Sequence, residues 1–240
     1  TNEIYKTLGY IDIQRMLEPR LIYGSYPDIL NQSADTQILL RNLTDSYLYK
    51  DILATENIRK PDLLDKLLRA LAYQVGSEVS YNELAQTVGS DSKTVEKYIE
   101  LLEKCFIIFR LNGLSRNLRN ELKKAKKIYF YDNGIRNAVI QQFAPLEMRN
   151  DVGALWENFF ISERIKRNHY QQYYCNMYFW RTQSQQEIDY IEERDGMMTV
   201  FEMKWNPKKA NTTIPEAFLK AYPIKETTII TPENYLDWLL

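Results

Sequence analysis

Glu187-Ile188-Asp189-Tyr190-Ile191-Glu192, Asp195-Gly196 and Thr199-Val200-Phe201-Glu202-Met203-Lys204-Trp205 read as two strands joined by a hairpin turn. Both runs are rich in aromatic and β-branched residues, and Asp-Gly between such runs is a strong hairpin signal. Side chains alternate along a strand, so Glu202 and Lys204 leave one face and Met203 the other. The hairpin brings Asp189 opposite Glu202. Two carboxylates that converge repel each other unless a cation offsets them, and hard divalent ions such as magnesium choose oxygen ligands.

Working outward, Tyr173 to Arg181 reads as a strand before this hairpin, and Ala154 to Lys166 as an amphipathic helix before that. A helix at Glu216 to Ala221, a strand at Thr227 to Ile230 and a terminal helix follow, giving the order α-β-β-β-α-β from about residue 145 to 240. Glu157 lies one turn from Gly153 and Ala154, whose small size predicts close packing on the sheet and a third acid for the cluster. An isolated Glu-x-Lys means little, since opposite charges often alternate on solvated strand faces. The ordered set Glu157, Asp189, Glu202 and Lys204 inside apolar strands says more.

Residues 59–144 carry a different pattern. Leu63, Leu64, Leu67, Leu68, Leu71 and Val75 mark a helix closed by Gly76. Ser80 with Glu83 three residues on forms a capping box for a short helix that stops at Gly89. A third helix after Ser90-Asp91 places Val95, Tyr98, Ile99, Leu102 and Phe106 at helical spacing. Two helices around a glycine-containing turn predict a helix-turn-helix. Ile107 to Leu111 and Lys127 to Tyr131 would supply a wing, followed by a short helix over Ile135 to Gln142. Residues 1–58 read as a helical segment, with Gly24-Ser25-Tyr26-Pro27 as a turn and Ile38, Leu39, Leu40, Leu43, Tyr47 and Leu48 on one helix face. The expected fold class is α/β, of mixed α+β kind.

Composition narrows the chemistry. With 31 Lys plus Arg against 32 Asp plus Glu, bulk charge does not hold this chain to nucleic acid, so such binding needs a local patch. His169 is the single histidine, which removes histidine triads and paired-histidine metal sites. Cys105 and Cys175 lie far apart in apolar or aromatic stretches, consistent with reduced core thiols and a cytoplasmic location. No run approaches the ~18 apolar residues of a membrane span. Thr1 is not an initiator methionine, and the sequence opens in mid-pattern, as expected of an excised fragment. The eight glycines hold no G-x-x-x-x-G-K-[ST].

Helix, strand with Asp, then strand with Glu-x-Lys resembles the PD-(D/E)XK nuclease superfamily, with Glu157, Asp189, Glu202 and Lys204 as the matching residues. Over most of the chain, Gly24-Ser25-Tyr26-Pro27, Tyr81-Asn82-Glu83-Leu84-Ala85, Thr94-Val95-Glu96-Lys97-Tyr98 and Lys127-Ile128-Tyr129-Phe130-Tyr131-Asp132-Asn133-Gly134 together resemble prokaryotic AAA-type ATPases. In these, an ATPase domain precedes a winged helix and a restriction-endonuclease-like domain. The resemblance implies that residues 1–58 are the lid or linker of a missing upstream ATPase domain, the place where ATP would bind. It implies a winged helix over 59–144 and a nuclease-like domain over 145–240. Asp189, Glu202 and Glu157 would hold Mg2+ or Mn2+, and Lys204 would orient water or contact phosphate.

A DNA contact surface is expected from Lys93, Thr94 and Lys97 on the third helix and from Arg116, Arg119, Lys123, Lys124 and Lys126 in the basic loop. Glu96, Glu100 and Glu103 share that helix and would repel phosphate, and a charged helix is most often a solvated face. Trp156, Phe159, Phe160, Tyr178, Phe179 and Trp180 are expected to build core rather than stack on bases, and His169 to end an exposed helix. Two other readings stand beside the metal-dependent nuclease. One is a noncatalytic DNA-binding or partner-binding regulator on a nuclease-like scaffold. In the other, the winged helix only transmits movement from the ATPase.

Overall fold

The computed structural model describes residues 1–30, 35–45, 61–115, 126–182, 184–209 and 213–240. It is a mixed α+β structure that divides into two compact units. One comprises Met16–Arg110 and Ile128–Asn150; the other comprises Thr1–Arg15, Leu111–Lys127 and Asp151–Leu240. Among the described residues, no helix is long and apolar enough to cross a membrane.

The first unit is mainly helical. Its elements are α3 (Leu17–Tyr23), α4 (Pro27–Leu30), α5 (Thr36–Leu43), α6 (Pro61–Tyr73), α7 (Tyr81–Val88), α8 (Ser92–Lys104) and α9 (Asn133–Val139). Leu63, Leu64, Leu67, Leu68 and Leu71 are buried on α6, as their spacing predicts. The Ser80 side chain accepts the Glu83 amide, and Gly89 closes α7 in the left-handed conformation. Asp91 caps α8 by accepting the Thr94 amide. Strand β1 (Glu78–Val79) lies next to β3 (Lys126–Phe130), which lies next to β2 (Ile108–Gly113). Phe109 and Tyr129 stack between β2 and β3. Phe106 does not continue the buried face of α8: it follows the helix end at φ 55° and is 69% exposed. Tyr47 and Leu48 lie outside the described residues.

The second unit begins with α1 (Asn2–Leu8) and α2 (Tyr10–Arg15); the Tyr235 hydroxyl donates to the Ile13 carbonyl. Its main helix is α10 (Val152–Tyr170), followed by β4 (Asn176–Arg181), β5 (Glu187–Arg194), β6 (Met197–Met203), α11 (Glu216–Ala221), β7 (Ile224–Ile230) and α12 (Tyr235–Leu239). The end of β2 pairs parallel with β4, β4 and β5 are antiparallel, β5 and β6 are antiparallel, and β7 adds parallel to β6. Asp195 and Gly196 both have positive φ, as a two-residue primed hairpin turn requires.

Leu114, Trp180, Ile188, Ile191, Met198, Val200 and Phe218 form one core cluster of this unit. Trp156, Phe159, Phe160, Phe179 and Trp180 are buried, while Tyr178 is half-buried. His169 is exposed near the end of α10. Cys105 and Cys175 are half-buried, a correction to their expected place in the core: each lies just outside a regular element, where packing is incomplete.

Candidate active site

The β5–β6 ladder pairs Tyr190 with Phe201 and Ile191 with Val200, so Asp189 and Glu202 are the next residues along the two strands. The Asp189 carboxylate accepts the Met203 amide at 2.8 Å, which fixes it beside the end of β6. Glu202 is buried, and its Oε2 receives the Lys204 ammonium at 2.9 Å. Burial, followed by the adjacent Asp189 carboxylate, pushes the Glu202 carboxyl up to about 8; Lys204 offsets only part of this. Burial works against the Lys204 charge but is outweighed by Asp189 and Glu202, so its pKa is raised.

Glu157 comes from the first half of α10, and its Oε1 lies 3.2 Å from Lys127 Nζ. The same ammonium lies 2.6 Å from Glu187 Oε1 at the start of β5. Lys127 is 3% exposed, yet its pKa is raised: desolvation opposes the charge, and Glu157, Asp189 and Glu187 together outweigh desolvation. Gly153 does not create close packing, because a Cβ built there meets nothing within 4 Å. Glu157 reaches the cluster by the length of its own side chain.

Asp189, Glu202 and Lys204 therefore gather at one end of the β5–β6 pair, with Glu157 held next to them by Lys127. Among the described residues, no group of three or more His, Cys, Asp or Glu side chains is arranged to hold a metal ion. The Asp189–Glu202 pair is an oxygen donor set of two. That suits magnesium, which commonly takes one or two carboxylates and completes its shell with water and phosphate.

Lys127 and Glu187 are the members of this cluster that motif reading passes over. No local signal marks Lys127, because both faces of β3 are buried from Lys127 to Phe130 and strand alternation does not single it out.

On α8, Lys93 and Lys97 are exposed, whereas the Thr94 hydroxyl donates to Asp91 Oδ2 at 2.7 Å and serves the cap. Arg110 is tied to Glu103 and to the Tyr81 hydroxyl, which withdraws both an acid and a base from the exposed surface. Lys126 opens β3. Arg116, Arg119, Lys123 and Lys124 lie outside the described residues.

The chain belongs to the family described as "Domain of unknown function (DUF8612)", whose match covers residues 14–146. Residues 152–238 match "Domain of unknown function (DUF4143)", a domain found in AAA-ATPase-associated proteins. The chain is similar to uncharacterized proteins of Mycobacterium tuberculosis and Mycobacterium bovis, each 27% identical over 139 residues, or 56% of this chain and 30% of the relative. An uncharacterized protein of Haemophilus influenzae is 25% identical over 124 residues, covering 49% of this chain and 31% of the relative. The matches thus span about a third of the length of these curated relatives. No solved structure matches the chain at a significant level.

Proposed function

We propose that this chain is the C-terminal part of a cytoplasmic AAA-type ATPase, in which a winged helix precedes a PD-(D/E)XK nuclease-like module that hydrolyses phosphodiesters with Mg2+ or Mn2+. The observation that carries the reading is the Asp189–Glu202 pair, two neighbouring carboxylates with the Lys204 ammonium 2.9 Å from Glu202. A divalent cation would bind the pair with both carboxylates ionised, displacing the proton that burial and Asp189 hold on Glu202 at neutral pH.

Asp189 and Glu202 would hold the ion, with Glu157 ligating through water. The bound ion supplies Lewis acidity and offsets charge on the phosphoryl group. Lys204 contributes a fixed positive charge beside the pair. It can orient the attacking water or contact a phosphate oxygen without waiting for a side chain to reorganise. Lys93 and Lys97 of the winged helix would meet the DNA backbone, together with Arg116, Arg119, Lys123, Lys124 and Lys126. ATP would act through the upstream domain.

Calorimetric titration of the chain with MnCl2 tests this, alongside an Asp189→Ala/Glu202→Ala variant and a nuclease assay on the same samples. Binding and cleavage in the wild type, both lost in the variant, are expected. A folded wild type that binds no ion, with or without DNA, overturns the enzyme reading.

The second reading is a noncatalytic DNA-binding or partner-binding regulator on the same scaffold. It is favoured by one specific contact, the buried Lys127 that already neutralises Glu157.

A further inference from the structure

We propose that Lys127 is a resident cation of the acid cluster, occupying the position between Glu157 and Glu187 and limiting the site to one divalent ion, at Asp189 and Glu202. The inference rests on the metal-site reading above and adds the residue that sets its ion stoichiometry.

The geometry is that of a counter-ion rather than of a surface lysine. Lys127 Nζ reaches two carboxylates from different elements, Glu157 of α10 at 3.2 Å and Glu187 of β5 at 2.6 Å, and its side chain is 3% exposed. The Phe179 ring lies 5.4 Å from Nζ and closes the apolar side. Buried charge is tolerated only when paired, so an ammonium in this place answers a fixed need for positive charge there. Glu187 also faces Arg181 at 3.9 Å, but Arg181 is more exposed and lies further away.

The division of labour follows from the pairings. Lys127 serves Glu157 and Glu187, while Lys204 serves Glu202. Asp189 accepts a backbone amide. A divalent ion arriving at Asp189 and Glu202 meets two ammonium groups, Lys204 paired directly with Glu202 and Lys127 attracted by Asp189, and Lys204 is the less buried of the two, 26% exposed against 3%. An ion seeking Glu157 and Glu187 would have to expel an ammonium that has no route to water without vacating its burial site. The strand geometry reinforces this, because Lys127 is held in β3 rather than in a loop.

The test is Mn2+ calorimetry on the full chain and two variants. The wild type should bind one equivalent. Lys127→Met, of similar length but uncharged, should bind a second equivalent between the released carboxylates. Adding Glu187→Gln to Lys127→Met should return the count to one.

A folded Lys127→Met that still binds one equivalent overturns the proposal, as does a wild type that binds two or a second equivalent that persists in the double variant. If Lys127→Met does not fold alone, Mn2+ should restore a cooperative melt, and failure to restore it also overturns the proposal. A wild type that binds none while Lys127→Met binds one leaves Lys127 as the resident cation and sinks the Asp189–Glu202 reading. Binding by neither removes both.

Discussion

The Asp132 carboxylate accepts the Ser25 amide at 2.7 Å, joining two segments 107 residues apart in the chain. Its other oxygen accepts the amides of Gly134 at 2.8 Å and Ile135 at 3.2 Å at the start of α9. One buried side chain thus serves both as a helix cap and as the anchor of the Gly24-Ser25 turn. The approach is so close that a Cβ on Gly24 would overlap the Asp132 carboxylate, and Gly24 has φ +81°. Asn137 extends the junction by donating to the carbonyls of Leu21 and Ile22.

Asp132→Ala leaves three amides without their acceptor and should destabilise the chain by about 3 kcal/mol or more, since each buried orphan costs ~1–3 kcal/mol. Gly24→Ala should be comparably harmful, from overlap and from the positive φ together. Urea denaturation measures both. A midpoint within error of wild type for either variant would show that the junction is dispensable.

A second junction lies in the other unit. Arg164 Nε and Nη2 donate to the two oxygens of Glu192 at 2.9 and 2.8 Å, and both residues are buried. Asn168 and Tyr190 also donate to Glu192, at 2.6 and 3.2 Å. Removing one partner of a buried pair strands the other charge, so Arg164→Met should cost about 3–5 kcal/mol. Arg164→Met combined with Glu192→Leu should recover part of that loss, because neither charge of the pair is then stranded, while Asn168 and Tyr190 lose their acceptor and Arg167 the nearby negative charge. Chemical denaturation of the single and double variants decides it; a double variant worse than the sum of the single changes contradicts the argument.

The hairpin at residues 195–196 and the carboxylates flanking it were legible in the sequence because strand period and turn chemistry agree there. The α7 and α8 caps were legible for a similar reason: Ser80 and Asp91 act within three residues of themselves. Lys127 was not, since its partners come from segments 30 and 60 residues away and its local context is a run of basic residues. Phe106 shows the opposite failure. Helical spacing continues through it, but the chain has already turned to positive φ. The resemblance motifs Gly24-Ser25-Tyr26-Pro27 and Tyr131-Asp132-Asn133-Gly134 turned out to be two halves of one hydrogen-bonded junction, a relation that no local pattern contains.

The Glu202 carboxyl, pushed up to about 8 by burial and then by Asp189, makes stability depend on pH. Its ordinary value is 4.5, so between about pH 4.5 and 8 the folded chain holds a proton there that the unfolded chain has released. Stability then falls as pH rises, because the state binding more protons is disfavoured by their removal. The contribution is fully present below about pH 4.5 and is lost as pH passes through about 8. Glu202→Gln cannot ionise and should not show this contribution. The difference in urea midpoint between wild type and Glu202→Gln, followed from pH 5 to pH 8.5, isolates the group from every other titration. It should move steadily against the wild type across that window. A difference that stays flat, or that moves in the wild type's favour, would mean that Glu202 is ionised in the fold throughout and that the Lys204 ammonium outweighs burial and Asp189.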